Sequence, residues 1–154
     1  MPWGLVGKEM GIIKVAVSGG FDPIHSGHID HIKKAKQLGD YLIAIVQSDE
    51  NLIRKKGYAF MPYSERASIV GALKYVDEVA KNIDGDGTSA RTLERVKPDI
   101  FAKGGDRSPN NMPKNEIEIC GRIGCKIIYG TGDQLNSSSD IVETAWDKIR
   151  GLKT

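Results

Sequence analysis

The sequence predicts an α/β fold: a Rossmann-like, doubly wound sheet of five parallel strands with helices on both faces. Short β-branched or apolar runs alternate along the chain with segments whose apolar residues recur at helical spacing. Residues 41–47 (YLIAIVQ) are apolar almost throughout, which is typical of a strand covered on both faces of a parallel sheet. Strands and helices that alternate in this way favour a doubly wound sheet with right-handed crossovers.

The first elements along the chain are a strand, a helix and a second strand. Residues 14–18 (KVAVS) are short and β-branched, which indicates a buried strand. The helix that follows has apolar residues at 29, 32, 35 and 38 and is expected to end at Gly39. After the strand at 41–47, Asp49 and Glu50 are expected to begin a loop that becomes basic.

The middle of the chain predicts two helices around a short strand. Ser64 is the expected cap of a helix with apolar residues at 69, 70, 73 and 76, and a strand at 76–80 follows it. Thr88 is the expected cap of the next helix, which Pro98 closes.

The C-terminal third continues the same alternation. It predicts strands at 99–103 and 126–129 and helices at 115–123 and 138–149. One face of the last helix carries apolar side chains, namely Ile141, Val142, Ala145, Trp146 and Ile149.

Length and composition indicate one domain. The chain has 154 residues, of which 40% are hydrophobic, and we expect a poorly ordered extension at 1–11 and a single domain at 12–154. The formal net charge of +2 gives no support to a nucleic-acid or membrane partner. Cys120 and Cys125 are too few for a disulfide scaffold, and buried thiols in the cytoplasm are expected.

The segment 18–28 (SGGFDPIHSGH) combines glycines and histidines where the first strand gives way to a helix. Gly19, Gly20 and Gly27 allow a ligand to approach the backbone, and a helix start offers unpaired N–H groups to an anion. His25 and His28 bracket Gly27, so both imidazoles can reach one bound group. The alternative is an ordinary turn with a solvated His25.

Other loops of similar chemistry follow the strands at the same sheet edge. Glycines, hydroxyls and cations occur in the loops after residues 47, 102 and 129, whereas the loops at the opposite edge are plainer. Ligands of doubly wound sheets bind outside the carboxyl ends of the strands. The sequence therefore predicts a polyphosphate ligand at this edge.

The pattern Gly-x-Phe-Asp-x-x-His-x-Gly-His at 19–28 resembles the signature of the cytidylyltransferase-like nucleotidyltransferases, also called the HxGH family. The resemblance extends over nearly all of 14–150. It implies that His25 and His28 are catalytic through hydrogen bonds to the reacting phosphates, in a transfer that needs no nucleophilic side chain. It also implies nucleotide contacts from the turn, at Gly19, Gly20, Phe21, Asp22 and Gly27.

A basic cluster at 54–57 (RKKG) is by itself typical of a solvated surface. The resemblance implies instead that Lys56 acts on the triphosphate, with Lys55 as the second match and a substrate contact. Glu65 and Arg66 resemble a pair found in the family. Arg66 is a candidate substrate contact, with a structural salt bridge as the equal alternative, and Asp22 is expected to border the acceptor as well.

Two further segments resemble nucleotide-binding elements of the family. One comprises Lys103, Gly104, Gly105 and Asp106, and resembles the Lys-Gly-Gly-Asp loop of the domain that adenylylates heptose 1-phosphate. The other comprises Ser137, Ser138 and Ser139, whose hydroxyls at a helix start exceed what a cap requires. Glycerol-phosphate cytidylyltransferases usually carry Arg-Thr-x-Gly-Ile before these serines, and this chain does not.

The implied function is transfer of AMP from ATP to a phosphorylated, sugar-like acceptor, with Mg²⁺ and release of pyrophosphate. Alternatives are a glycerol-3-phosphate cytidylyltransferase, an adenylyltransferase for a cofactor precursor such as FMN, and a nucleotide-binding regulator without turnover. No metal held by the protein is predicted, since a zinc site at His28 and His31 would lack matched ligands and His31 is expected on the solvated face. Relatives are commonly dimers, and residues 72–79 resemble their interface segment, so a homodimer is expected.

Overall fold

A computed structural model describes residues 11–105, 107–132 and 137–151. The expected extension at 1–11 lies outside these residues except for Gly11, and so do Asp106 and the segment 133–136. Within the described ranges the chain forms five strands and six helices.

The strands form one parallel sheet in the order β3-β2-β1-β4-β5. Their bounds are β1 Lys14–Gly19, β2 Tyr41–Val46, β3 Glu78–Lys81, β4 Ile100–Ala102 and β5 Lys126–Ile128. The predicted doubly wound, Rossmann-like sheet is confirmed. The strand order reverses between β1 and β4, which is where such sheets form a ligand crevice at their carboxyl edge.

The structure has one helix more than the five that the sequence predicts. Their bounds are α1 Ser26–Lys36, α2 Asp49–Lys56, α3 Tyr63–Gly71, α4 Ala90–Val96, α5 Lys114–Ile123 and α6 Ser138–Ile149. The predicted loop at Asp49 is wrong, because Ser48 caps a helix there by accepting a hydrogen bond from the Asn51 N–H at 3.1 Å. Acidic residues at its start and basic residues at its end match the helix dipole.

Several predicted helix ends differ from the structure. Pro62, not Ser64, occupies the N-cap of α3, and α3 ends at Gly71, so Leu73 and Val76 lie in the connection to β3. Ser89 rather than Thr88 precedes α4. Neither observed N-cap residue makes a side-chain capping bond, so the preference for capping side chains does not locate these two helix starts.

Helices cover the sheet on both faces. Ile32 and Ala35 of α1 and Val70 of α3 pack on one face, against Val15, Val17 and Leu42. Leu93 of α4 and Ile119 of α5 pack on the other face, against Ala16, Ile43 and Phe101. The strand β2 is buried through residues 42–46, as its continuous apolar run predicts.

The helix α6 buries none of its residues. Trp146 is 56% exposed and Ile149 is 80% exposed, so the expected apolar face of this helix lies largely in contact with solvent. Ile29 on α1, also expected to be buried, is 40% exposed. In the part of the chain that the structure describes, no helix has the length and apolar character needed to cross a membrane.

Gly39 allows the end of α1 to meet the start of β1, and we predict that Gly39→Ala loses about 1–3 kcal/mol of unfolding free energy. A Cβ at this position would lie 2.7 Å from Val15 Cγ2 and 2.8 Å from the Ile13 carbonyl oxygen. Gly121→Ala is the matched control, because a Cβ there meets no atom within 4 Å and alanine favours the helix interior. Urea unfolding of both variants checks the prediction, which is wrong if both are equally stable.

Candidate active site

A cleft of about 650 Å³ lies at the carboxyl edge of the sheet. Its lining comes from the segments that follow β1, β2, β3 and β4 and from the start of α6. The lining residues are Ser18, Gly19, Gly20, Phe21, His28, Gln47, Asn51, Leu52, Arg54, Lys55, Lys56, Asp86, Gly87, Ser89, Lys103, Arg107, Pro113, Glu116, Ser137, Ser138 and Ser139. The convergence of strand-end loops predicted from the sequence is therefore present.

The turn after β1 is closely packed against its own side chains. A Cβ on Gly19 would lie 3.2 Å from the Phe21 ring, and one on Gly20 would lie 2.9 Å from Leu52 Cδ2. Phe21 is buried and adopts a positive φ of 52°, a strained backbone conformation for a side chain of this size. Gly19 thus allows the Phe21 ring to pack against the turn, and Gly20 allows the turn to pack against Leu52.

Asp22 organises the turn from within. Its carboxylate is 1% exposed and accepts hydrogen bonds from the backbone N–H groups of Phe60 at 2.6 Å and Met61 at 2.7 Å. Lys56 Nζ lies 3.2 Å from the same carboxylate. Asp22 is not among the residues that line the cleft, and its contact with the nucleotide or acceptor stays a prediction.

His25 and His28 are held by reciprocal hydrogen bonds at the start of α1. His25 Nδ1 accepts from the Gly27 N–H at 3.1 Å, and His28 Nδ1 accepts from the His25 N–H at 3.1 Å. The rings are stacked, with centroids 3.8 Å apart. Because each Nδ1 is an acceptor, the proton of each neutral ring is assigned to Nε2, which leaves an N–H donor on both imidazoles.

Burial keeps both imidazoles in the neutral form. It lowers the pKa of His28 to about 3, with smaller contributions from His25 and His31, and it also lowers the pKa of His25. At neutral pH each ring therefore carries one N–H group, at Nε2, that can donate a hydrogen bond. His28 lines the cleft. His25 is not a lining residue, but its ring stacks on the ring of His28.

His31 lies in an internal contact rather than on the solvated face expected for it. Its Nδ1 is hydrogen-bonded to the Thr131 carbonyl oxygen, which joins α1 to the segment after β5. Burial lowers the pKa of His31, and the bond to Thr131 opposes this. Within the described residues no group of three or more His, Cys, Asp or Glu side chains could hold a metal ion.

Arg66 is completely buried, and all of its described bonds are to the protein. Nε donates to the Met61 carbonyl at 2.9 Å, and Nη1 donates to the carbonyls of Gly20 at 2.9 Å and Gln47 at 2.8 Å. Nη2 lies 2.7 Å from Asp49 Oδ1. Of the two predicted roles, the structural salt bridge is present, and the substrate contact stays a prediction.

The basic cluster lies at the end of α2 and contributes two lysines to the cleft. Lys56 Nζ donates to the Asp22 carbonyl at 3.0 Å, lies against the carboxylate of that residue, and sits 4.8 Å from the centroid of the Tyr58 ring. Lys55 is exposed and lines the cleft. The structure thus places Lys56 as an anchored cation and Lys55 as a more accessible one.

The segment after β4 contributes one of its predicted nucleotide contacts to the lining of the cleft. Lys103 lines the cleft, donates to Ser18 Oγ at 3.3 Å, and lies over the Phe101 ring at 4.7 Å. Gly104 and Gly105 do not line the cleft. A Cβ on Gly104 would collide with the Thr131 carbonyl and lie 2.8 Å from His31 Nδ1, so internal packing alone requires a glycine here.

All three serines before α6 line the cleft. Ser137 is the N-cap and accepts from the Asp140 N–H at 3.3 Å, and Ser138 Oγ donates to the Pro23 carbonyl at 2.8 Å. Ser139 is exposed. One serine therefore caps the helix, one fastens it to the histidine turn, and the third faces solvent at a helix start, where an anion is favoured.

The structure also adds lining residues that the sequence did not single out. These are Gln47, Asn51, Leu52, Asp86, Gly87, Ser89, Pro113 and Glu116. They come from the end of β2, from α2, from the loop after β3 and from the start of α5. Signals of this kind are weak in one sequence, because an isolated buried carboxylate on a helix resembles an ordinary surface residue.

Comparison with known proteins defines the family. Residues 16–144 match the family model described as cytidylyltransferase-like. The chain belongs to the cytidylyltransferase-like family, and its fold is the one that the sequence predicts. It is therefore a member of a family of nucleotidyltransferases.

Individual relatives cover different parts of the chain. It is 43% identical over 96 residues to FAD synthase of Pyrococcus horikoshii, which is 62% of this chain and 64% of that protein. It is 36% identical over 138 residues to the bifunctional protein HldE of Nitrosococcus oceani, which is 88% of this chain and 28% of that protein. The matched region thus spans less than two thirds of each of these relatives.

Solved structures agree with the fold. The lipopolysaccharide core biosynthesis protein of Thermoplasma volcanium GSS1 has a TM-score of 0.68 and 30% identity, over 79% of this chain and 98% of that one. TmcAL of Thermotoga maritima, solved with alpha-thio ATP, has a TM-score of 0.60 at 17% identity, over 90% of this chain and 52% of that one. At that identity the second similarity concerns the fold alone.

We predict that His28→Asn lowers the rate of ATP-dependent pyrophosphate release by more than about a hundredfold, the scale of losing one preorganised donor. Asparagine can accept from the His25 N–H as Nδ1 does, but it has no donor at the position of Nε2. Gln at 28 reaches further, so His28→Gln should retain more activity. Near-normal release by folded His28→Asn would exclude His28 from catalysis.

Proposed function

We propose that this protein transfers AMP from ATP to a phosphorylated, sugar-like acceptor and releases pyrophosphate. The observation that carries the proposal is the pair of neutral imidazoles, each with its Nδ1 occupied by a backbone N–H and its Nε2–H left to donate. Around His28 the cleft also presents Lys55, Lys56 and the serines before α6. Neutral donors, cations and a helix start together suit a phosphate chain.

The proposed step is a displacement at the α-phosphorus of ATP. An oxygen of the acceptor phosphate forms the new bond to phosphorus, the bond between the α-phosphorus and the bridging oxygen breaks, and pyrophosphate leaves with the electron pair of that bond. Negative charge spreads over the phosphate oxygens during this step. His28 and His25 would donate hydrogen bonds to those oxygens, and no proton has to leave either ring.

The lysines and serines would bind the leaving group. Lys55 and Lys56 at the end of α2 would neutralise the β and γ phosphates, with Lys56 already positioned by Asp22. The exposed Ser139 and the start of α6 would add hydroxyl and N–H donors. This set includes two of the four cationic residues of the predicted site, and the other two are Arg66 and Lys103.

Magnesium fits this scheme as an ion that enters with the triphosphate. Mg²⁺ commonly keeps several waters and is bound through substrate phosphates with one or two carboxylates. Among the described residues, Asp86 offers an exposed carboxylate on the cleft, and no cluster could hold the ion by itself. When bound, Mg²⁺ would neutralise charge on the pyrophosphate.

The relatives support an adenylyl donor and leave two acceptor classes to be compared. HldE, whose domain of this type adenylylates heptose 1-phosphate, matches 88% of the chain, and this favours a sugar phosphate. FAD synthase has the higher identity over a shorter stretch, and FAD differs from FMN by an AMP unit, so FMN is the second candidate. A nucleotide-binding regulator would bind ATP and release no pyrophosphate with either acceptor.

Two further parts of the proposal concern assembly and partners. We keep the homodimer as an expectation, with residues 72–79 forming the connection from α3 to the edge strand β3. An edge strand presents unpaired backbone groups that a second subunit could cover. The small-molecule partners would be the nucleoside triphosphate and the phosphorylated acceptor.

We predict a ratio of kcat/KM for ATP over CTP of at least about ten, measured by pyrophosphate release with one working acceptor. The reason is that a pocket that pairs with the polar edge of one base leaves groups unpaired with the other, at about 1–3 kcal/mol each. Heptose 1-phosphate, glycerol 3-phosphate and FMN should be tested as acceptors with both nucleotides. A ratio that favours CTP would assign the chain to the cytidylyltransferase branch. The absence of pyrophosphate release with all three acceptors would favour the regulator.

A further inference from the structure

The cleft has a wall on the side opposite the histidines. We define the far wall as Asp86, Gly87, Ser89, Pro113 and Glu116, which belong to the loop after β3, the cap of α4 and the start of α5. The helix α1, which carries His28, packs on one face of the sheet, whereas α4 and α5 pack on the other. The turn after β1 and the far wall therefore face the cleft from opposite sides of the strand ends.

Glu116 is the charged residue buried in the far wall. It is 4% exposed, and its Oε2 accepts a hydrogen bond from the Ser89 N–H at 2.8 Å. Its Oε1 is buried and has no hydrogen-bond partner within the described part of the chain. Buried carboxylate oxygens are nearly always hydrogen-bonded, because an unpaired one is costly. An orphaned oxygen on a residue that lines a ligand cleft indicates that the ligand supplies the partner.

The charges around Glu116 restrict what that partner can be. The cleft is also lined by three cations, Lys103, Lys55 and Arg107. Burial lowers the pKa of Lys103, the negative charge of Glu116 raises it, and the positive charges of Arg107 and Lys55 lower it further. These cations suit the phosphate of an acceptor and disfavour a cationic acceptor. A carboxylate oxygen would repel the phosphate itself. The partner that satisfies both conditions is a neutral donor on the same ligand, such as a hydroxyl group.

We propose that Glu116 is a specificity-determining residue whose Oε1 accepts a hydrogen bond from a hydroxyl group of the phosphorylated acceptor. This inference rests on the proposed function for the identity of the ligand. It makes the far wall the place where the acceptor's carbon chain or ring is recognised, while the cations bind its phosphate. Acceptors without a hydroxyl near the phosphate would leave Oε1 unpaired and would bind more weakly.

A purely structural role for Glu116 makes a different prediction. Capping the start of α4 through the Ser89 N–H requires one carboxylate oxygen. Glu116→Gln retains an amide oxygen for that bond and replaces Oε1 by an NH₂ group, which is a donor. The substitution therefore preserves the cap and reverses the hydrogen-bonding character of the atom assigned to the ligand. Glu118→Gln is the matched control, because Glu118 lies on the same helix and is exposed.

The experiment measures ligand affinity by titration calorimetry on wild type, Glu116→Gln and Glu118→Gln, each in the presence of a non-hydrolysable ATP analogue. The hydroxyl-bearing probes are mannose 1-phosphate, glycerol 3-phosphate and FMN, and methyl phosphate is the hydroxyl-free probe. Thermal unfolding of the three proteins runs alongside. We expect Glu116→Gln to weaken the best hydroxyl-bearing probe by about tenfold or more, to leave methyl phosphate equal or tighter, and to melt within a few degrees of wild type. Glu118→Gln should change none of these.

Equal affinities of wild type and Glu116→Gln for every hydroxyl-bearing probe would overturn the inference. So would equal weakening of methyl phosphate, or wild-type binding of no probe more tightly than methyl phosphate. Pyrophosphate release by wild type with ATP is a separate arm. Selective weakening without turnover would keep the hydroxyl site and reject the transferase, whereas turnover with unchanged affinities would keep the transferase and reject the role of Glu116.

Discussion

The guanidinium of Arg66 is buried completely and joins four segments that surround the cleft. It binds the turn after β1 through Gly20, the end of β2 through Gln47, the start of α2 through Asp49 and the approach to α3 through Met61. A buried charge is tolerated only where its hydrogen bonds are made, and a planar fork with five N–H groups can serve several carbonyls at once. The geometry of the site depends on this one residue, which the sequence presented as a possible ligand contact.

The same principle applies to the histidine turn. The Asp22 carboxylate accepts hydrogen bonds from two backbone N–H groups and forms an ion pair with Lys56. The Nδ1 atom of each histidine accepts a hydrogen bond from one backbone N–H. The internal bonds therefore decide which atoms remain for a ligand: the imidazole Nε2–H groups and the lysines of α2. Preorganised donors of this kind cost no reorganisation when negative charge develops on a bound phosphate. Glu116 is the exception, since it has one oxygen used and one oxygen without a described partner.

Much of this arrangement could be predicted from the sequence. Periodicity alone indicates the parallel sheet, and the fixed spacing of glycines and histidines at 19–28 identifies the turn, because local order in the chain is preserved in the fold. The roles of Arg66, Asp22 and Gly104 could not be read in the same way. Each is decided by atoms distant in sequence, such as the Thr131 carbonyl and His31 for Gly104. Residues that hold a site and residues that touch its ligand share the same chemistry, and only their tertiary surroundings separate them.

The central claim, that Arg66 holds the cleft together, is tested most directly by the unfolding free energy of Arg66→Lys in urea. Lysine keeps the charge but lacks the planar fork, so several of the carbonyls now bound would be left buried and unpaired. We expect a loss of about 3–5 kcal/mol, the range for disrupting a buried charged network. Arg122→Lys serves as the control, because Arg122 forms an exposed ion pair with Glu94 at 3.6 Å and should change stability by less than about 0.5 kcal/mol. An Arg66→Lys protein as stable as the Arg122→Lys protein would contradict the account.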